Sequence, residues 1–197
     1  MTLYPVTVTE PLVPLTLTMD SINVFCFGDT TGSIDLSVTG GTPGYSYLWS
    51  IGDTLQDVDS LVTGTYQVIV TDTNQCVDSL SVFIDQPLAP IALSATQVDI
   101  LCFGDATGAV DLTVSGGTPA TTGYVFDWNS GAFVTEDLSN VPSGPYAVLV
   151  TDSLLCSDTL SVVLTQPDAP IDIDFTILDV YCFGDSTGDV LAEITGG

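Results

Sequence analysis

The sequence predicts an all-β fold built of tandem β-sandwich repeats, and three observations carry that prediction. The tetrapeptide Cys-Phe-Gly-Asp begins at Cys26, Cys102 and Cys182, so the unit recurs after 76 and then 80 residues. Between these anchors apolar and polar residues alternate in short runs, the period of a half-buried strand. Gly, Pro, Asp and Asn, each with its own way of turning the chain, separate the runs.

The elements follow in order within each unit. Thr31-Gly32, Thr107-Gly108 and Thr187-Gly188 close the cysteine motif, and an alternating run follows it. There Ile34, Leu36 and Val38, matched by Val110, Leu112 and Val114, face one way, and the polar residues between them face the other. Thr39-Gly40-Gly41-Thr42-Pro43 and Ser115-Gly116-Gly117-Thr118-Pro119 are the next turns. Tyr45, Tyr47 and Trp49, with Tyr124, Phe126 and Trp128, make the next inward set. Tyr66, Val68 and Val70 and then Leu80, Val82 and Ile84 complete the first unit; Tyr146, Val148, Val150, Leu160, Val162 and Leu164 are their counterparts.

A Trp on the third strand and a Tyr opening the penultimate one resemble the core of immunoglobulin-like sandwiches. Both are read as structural, because alternation turns the rings inward. Glu10-Pro11, Gln86-Pro87 and Gln166-Pro167 each precede a second proline, Pro14, Pro90 or Pro170, and mark linkers. The expected organisation is residues 1–11 as the last strand of a preceding repeat, complete repeats at 12–87 and 88–167, and the start of a further repeat at 168–197. Proline at each junction makes such an array a semi-rigid, elongated rod.

The chain of 197 residues has no Lys, Arg or His against 22 Asp and 3 Glu, a formal charge of −25. Such a surface repels phosphate backbones and anionic headgroups, so neither nucleic acid nor direct membrane insertion is expected. A hydrophobic fraction of 45%, with carboxylates set singly among apolar residues, argues for a folded chain and not an acidic disordered one. Without His or Lys there is no Ser-His, Ser-Lys or thiolate-imidazolium pair. The Asp residues recur at equivalent positions of each unit, which suits a module better than a unique catalytic cleft. No enzyme activity is expected.

Five cysteines without C-x-x-C spacing point to disulfides and an oxidising compartment. The simplest pairing is within repeats, Cys26 to Cys76 and Cys102 to Cys156, with Cys182 paired outside the segment. Ordinary sandwich topology objects, because the two turns lie at opposite ends of the module while a disulfide holds its Cα atoms within about 7 Å. One alternative staples one repeat to the next, here Cys26 to Cys156; the other leaves the cysteines as free or intermolecular thiols. Asp29, Asp105 and Asp185, with Asp72 and Asp152, are candidate Ca²⁺ ligands; each serves equally as an Asx cap of its own turn. No other cofactor is expected.

The string Cys-Phe-Gly-Asp, Gly-Ser-Ile-Asp-Leu-Ser-Val, Gly-Gly-Thr-Pro, Tyr-Ser-Tyr-Leu-Trp-Ser, Gly-Thr-Tyr and Val-Thr-Asp-Thr-Asn-Gln-Cys between Cys26 and Cys76 resembles the SprB repeat family. The chain departs from the pattern at Gly44 and in the insertion 120–123, where the family often has a second proline. The resemblance implies a very large surface adhesin of gliding Bacteroidota or a related secreted protein, exported by type IX secretion. It also implies O-glycosylation of Asp-Ser/Thr triplets, here at Ser21, Thr30, Thr54, Ser60, Ser79, Ser153, Thr159 and Ser186. The expected function is a structural stalk or filament segment at the cell surface. Its partners would be flanking repeats of the same polypeptide or neighbouring copies. Two alternatives stand beside it. One is a module binding surface glycans through the variable segments 51–60, 120–123 and 130–139; the other is a homopolymeric filament completed by strand exchange.

Overall fold

A computed structural model of the chain describes residues 13–197, and the strand expected at 1–11 lies outside them. The described residues contain fourteen strands and no helix, so none is long and apolar enough to cross a membrane. The chain divides into two compact units, one holding the residues through Pro90 together with Gly116–Thr118, the other Ile91–Ser115 with Pro119–Gly197.

The first set of strands comprises β1 (Thr16–Ile22), β2 (Gly32–Thr39), β3 (Ser46–Trp49), β4 (Val58–Leu61), β5 (Gly64–Thr71) and β6 (Val77–Ile84). They form two antiparallel sheets, ordered β1-β2-β4 and β3-β5-β6. This is a sandwich of the immunoglobulin type with three strands in each layer. The inner faces bury Ile34 and Leu36 of β2, Trp49 of β3, Val58 and Leu61 of β4, Tyr66, Val68 and Val70 of β5 and Ile84 of β6. Tyr45, Tyr47, Leu80 and Val82 pack at the margin of this core, half-buried.

The second set repeats it. Strands β7 (Ala92–Val98), β8 (Gly108–Ser115), β9 (Val125–Trp128), β10 (Leu138–Val141), β11 (Gly144–Thr151) and β12 (Ser157–Leu164) form sheets ordered β7-β8-β10 and β9-β11-β12. Their core holds Val110, Leu112, Trp128, Leu138, Tyr146, Val148, Val150 and Leu164. The expected period-two pattern is therefore met at equivalent residues of both sets. Beyond them β13 (Asp172–Leu178) and β14 (Asp189–Thr195) pair as an antiparallel hairpin, the counterpart of β1 and β2.

Three local devices hold the sandwich. The Tyr66 hydroxyl donates to the Val62 carbonyl at 2.9 Å and Tyr146 to Pro142 at the same distance. This tyrosine corner pins the chain where it crosses between sheets. The indole Nε1 of Trp49 donates to Leu55 O at 2.9 Å and that of Trp128 to Thr135 O at 3.0 Å, fixing a ring buried in each core. The linkers are held as well: the amides of Gly41, Gly117 and Gly197 donate to the carbonyls of Val13, Ala89 and Ala169 at 3.0, 2.9 and 3.0 Å.

Candidate functional site: the two cysteine turns

Each complete set of strands carries two turns with chemistry in them, one before β2 or β8 and one before β6 or β12. The first is the Cys-Phe-Gly-Asp turn. It closes through Asp29 N to Cys26 O at 3.1 Å and Asp105 N to Cys102 O at 3.2 Å, with Asp185 N to Cys182 O at 3.1 Å in the third copy. Gly28, Gly104 and Gly184 take φ of +80°, +81° and +89°, which is why the motif has glycine there. The turn is tied to the far end of the last strand. Val24 N donates to Asp85 O and Ile100 N to Thr165 O, both at 2.9 Å, and the linker glutamines accept from the turn, Gly28 N to Gln86 Oε1 and Gly104 N to Gln166 Oε1, both at 3.0 Å.

The second turn is built on a buried carboxylate. Asp72 and Asp152 are only 2% and 4% exposed in a chain without a cation to pair with them. They are satisfied by backbone. Asp72 Oδ2 accepts from Thr42 N at 2.8 Å and Oδ1 from Cys76 N at 2.8 Å; Asp152 Oδ1 accepts from Leu154 N and Cys156 N, both at 2.9 Å. The Thr42 amide, with those of Cys76 and Asn74, holds the Asp72 carboxyl below the ordinary carboxylate range against the opposing effect of its burial. Asp72 N and Asp152 N donate to the carbonyls of Cys76 and Cys156 at 2.9 Å, so the cysteine caps a closed loop.

These placements correct the simplest cysteine pairing. Cys26 and Cys156 are disulfide-bonded, whereas Cys76, Cys102 and Cys182 are free thiols exposed at the surface. Bonds from Cys26 to Cys76 and from Cys102 to Cys156 are therefore not formed. The reason is geometric. Cys26 sits beside Asp85 and Gln86, at the exit of β6, while Cys76 sits at its entrance, and eight residues of strand between them span about 26 Å at about 3.3 Å each. The second set is arranged identically around β12, Ser157–Leu164.

The same distance separates the candidate Ca²⁺ ligands. Asp29 and Asp105 lie in the first turn and Asp72 and Asp152 in the second, each of the latter already engaged by amides. Among the described residues no three His, Cys, Asp or Glu side chains gather as a metal site requires. The eight Asp-Ser/Thr positions, Ser21, Thr30, Thr54, Ser60, Ser79, Ser153, Thr159 and Ser186, are all exposed, so a glycan on any of them displaces no core.

Sequence reasoning missed a carboxylate of a different kind. Asp57 Oδ1 accepts from Leu36 N and Asp137 Oδ1 from Leu112 N, both at 2.9 Å. The side chain stands in for the ladder that β4 and β10 are too short to provide. A shallow groove of about 220 Å³ beside it, lined by Asp35, Asp57 and Asp59, is thus explained by strand capping. The signal available was an Asp directly before Val58 and Leu138 in both repeats.

Two segments, 18–54 and 94–133, match the family model of the SprB repeat. No curated protein matches the chain. Solved structures similar to it include domains 4 and 5 of the S-layer protein SbsC, at 17% identity over 80% of this chain and 99% of that one, with a TM-score of 0.29. Extracellular domains 3–5 of Drosophila OTK align at 11% identity over 83% of this chain and 64% of that one, TM-score 0.30. Domains 1–6 of SbsC align at 15% identity over 96% of this chain and 37% of that one, TM-score 0.31.

Proposed function

We propose, for a chain that carries SprB-type repeats at 18–54 and 94–133, that it is part of the extracellular, adhesin-like repeat region of a larger surface protein, and that these repeats serve as a spacer that presents other parts away from the cell. One observation supports this reading above the rest. The same sandwich, with the same buried Trp, tyrosine corner and carboxylate-capped turn, is built twice in succession, and what recurs is the framework. A spacer needs a module that can be repeated without change of core; a unique catalytic cleft does not recur in this way. The test is surface exposure. Antibody raised against this chain is expected to label intact, unpermeabilised cells of its source and to lose its epitope on brief protease treatment of those cells. Labelling that appears only after lysis would overturn the reading.

A second reading is supported by where the repeats differ. The insertion closes through a small bridge between Ala120 and Gly123. The loop after β3 is held by Trp49 N to Asp53 O, and the loop after β9 by Trp128 N to Phe133 O. These variable loops stand on an invariant scaffold, the usual placement of recognition surfaces. Binding of the chain to a panel of immobilised surface glycans, abolished by replacing 120–123 with the shorter turn of the first repeat, is the outcome that would promote this reading over the spacer.

A further inference from the structure

We infer that each complete repeat is a force-bearing module, in which a short latch between its entry strand and its exit strand is the part that carries tension along the chain. The inference concerns what the module does under load and does not depend on where the protein resides.

The first support is the course of the two strands. In the first set β1 enters from one linker and β6 leaves to the next, and the two adjoin although they belong to different sheets. Both begin at one end of the module. There the carbonyl of Val13, just before β1, accepts from Gly41 N, and the neighbouring Thr42 amide donates to Asp72, which also takes the amide of Cys76, just before β6. Both finish at the other end, where Val24 meets Asp85. Strands β1 and β6 therefore run parallel, and the chain goes in and comes out at opposite ends. The second set shows the same direction, since Gln97 reaches Val163 while Asp99 and Ile100 reach Thr165.

The second support is the bonding at the exit. Val24 N donates to Asp85 O at 2.9 Å, Asp85 N donates back to Asn23 Oδ1 at 3.0 Å, and Gly28 N donates to Gln86 Oε1 at 3.0 Å. The counterparts are Ile100 N to Thr165 O at 2.9 Å, Thr165 N to Asp99 Oδ1 at 2.8 Å and Gly104 N to Gln166 Oε1 at 3.0 Å. Asn23 and Asp99 differ in charge but offer the same acceptor oxygen, so what recurs is the bond. Val24 and Ile100 are each 2% exposed, which anchors the latch to the interior of its module.

The direction of loading supplies the third support. Tension applied at the linkers draws β1 and β6 past one another along their length, so the latch bonds are stretched together and fail together. An antiparallel hairpin pulled at its open end parts one pair at a time. The same chain holds such a hairpin: β13 and β14 pair from Asp172 with Thr195 to Leu178 with Asp189, and tension between the linker and Gly197 enters at the first of those pairs.

The experiment stretches the full chain of 197 residues between handles at its two ends by single-molecule force spectroscopy, with a thiol reductant present to open the disulfide of Cys26 and Cys156. A low-force opening of the hairpin and a high-force opening of each module are expected. Asn23→Ala should lower the rupture force of the first module by roughly a third, the share of one bond among three loaded in parallel, and Asp99→Ala should lower that of the second. Asp57→Ala is the control, because its bond ties the chain before β4 to β2 and involves neither β1 nor β6. It should lower the urea midpoint and leave both rupture forces unchanged, since a bond still intact when the latch fails does not alter the rate of unfolding. Should Asn23→Ala fail to fold, Gln86→Ala, which removes only the acceptor for Gly28 N, carries the same expectation. Modules that open at the force of the hairpin would overturn the proposal, as would a loss of rupture force in Asp57→Ala equal to that in the latch variants.

Discussion

Gly40 and Gly116 show how little freedom some single positions have. Their φ values are +73° and +75°, and a Cβ at either would lie 1.9 Å from the carbonyl oxygen of Pro14 or Pro90. Gly52, at φ +86°, has nothing within 4 Å of that point. The pair separates two costs. Gly52→Ala is expected to lose about 1 kcal/mol for the left-handed backbone alone, and Gly40→Ala about 2–4 kcal/mol, because a proline carbonyl inside the linker cannot step aside. Urea unfolding monitored by Trp fluorescence reads both; equal losses would mean that the linker contact is not what demands glycine. Asp72 makes a second prediction at this scale. Its carboxyl is held below the ordinary value of 3.8, so its contribution is complete above that pH and is lost as pH falls through the lower, folded-state value. Asp72→Asn should therefore lower the melting temperature at pH 7, and the gap from the parent chain should narrow as pH falls below the ordinary carboxylate range and through the folded-state value, where the parent aspartate becomes protonated as well. A gap that persists unchanged in acid would show that charge is not what the amides recognise.

At the scale of elements, β2 is the strand on which the layers depend, since it is paired on one side by β1 from Ser33 to Thr39 and on the other by the short β4. Asp57 finishes what β4 cannot reach by accepting from Leu36 N. Asp57→Ala should leave that amide unpartnered beside the core and cost about 1–3 kcal/mol, whereas Asp59→Ala, two residues on at an exposed position of β4, should stay within about 0.5 kcal/mol. These elements also mark how far the sequence could be read. Strands β2, β5 and β6 were legible because their inward residues alternate strictly, Ile34, Leu36 and Val38 being the plainest case. Strand β4 was not. Its pattern buries Val58 and Leu61 with two exposed residues between them, because Ser60 sits at φ +57° and the register to β2 shifts there. A bulge breaks the period on which the reading depends. The Asp72 cap was legible as a turn residue, but its reach to Thr42, 30 residues away in sequence, was not. Cysteine connectivity was open for the same reason: spacing says nothing about which end of a strand a turn occupies.

For the molecule as a whole the dominant long-range force is repulsion among carboxylates. With a formal charge of −25 and no cation anywhere in the chain, no pair of side chains offsets another, and unfolding relieves the repulsion by spreading the charges apart. Screening should then stabilise the fold. The Debye length falls from about 30 Å at 0.01 M ionic strength to about 8 Å at 0.15 M, so repulsion between exposed carboxylates farther apart than that is largely screened. The melting temperature is expected to rise over this range of NaCl and to level off above it, in contrast to a chain of balanced charge, whose surface ion pairs weaken with salt. Repeating the titration with CaCl₂ at matched ionic strength separates screening from binding. Superimposable curves would mean that Asp29, Asp72, Asp105, Asp152 and Asp185 act through turn geometry alone; an additional rise that saturates with Ca²⁺ would mean that a site assembles from them on binding. A melting temperature that falls with added NaCl would refute the premise itself, because it would require attractive charge pairs that a chain without Lys, Arg or His cannot make.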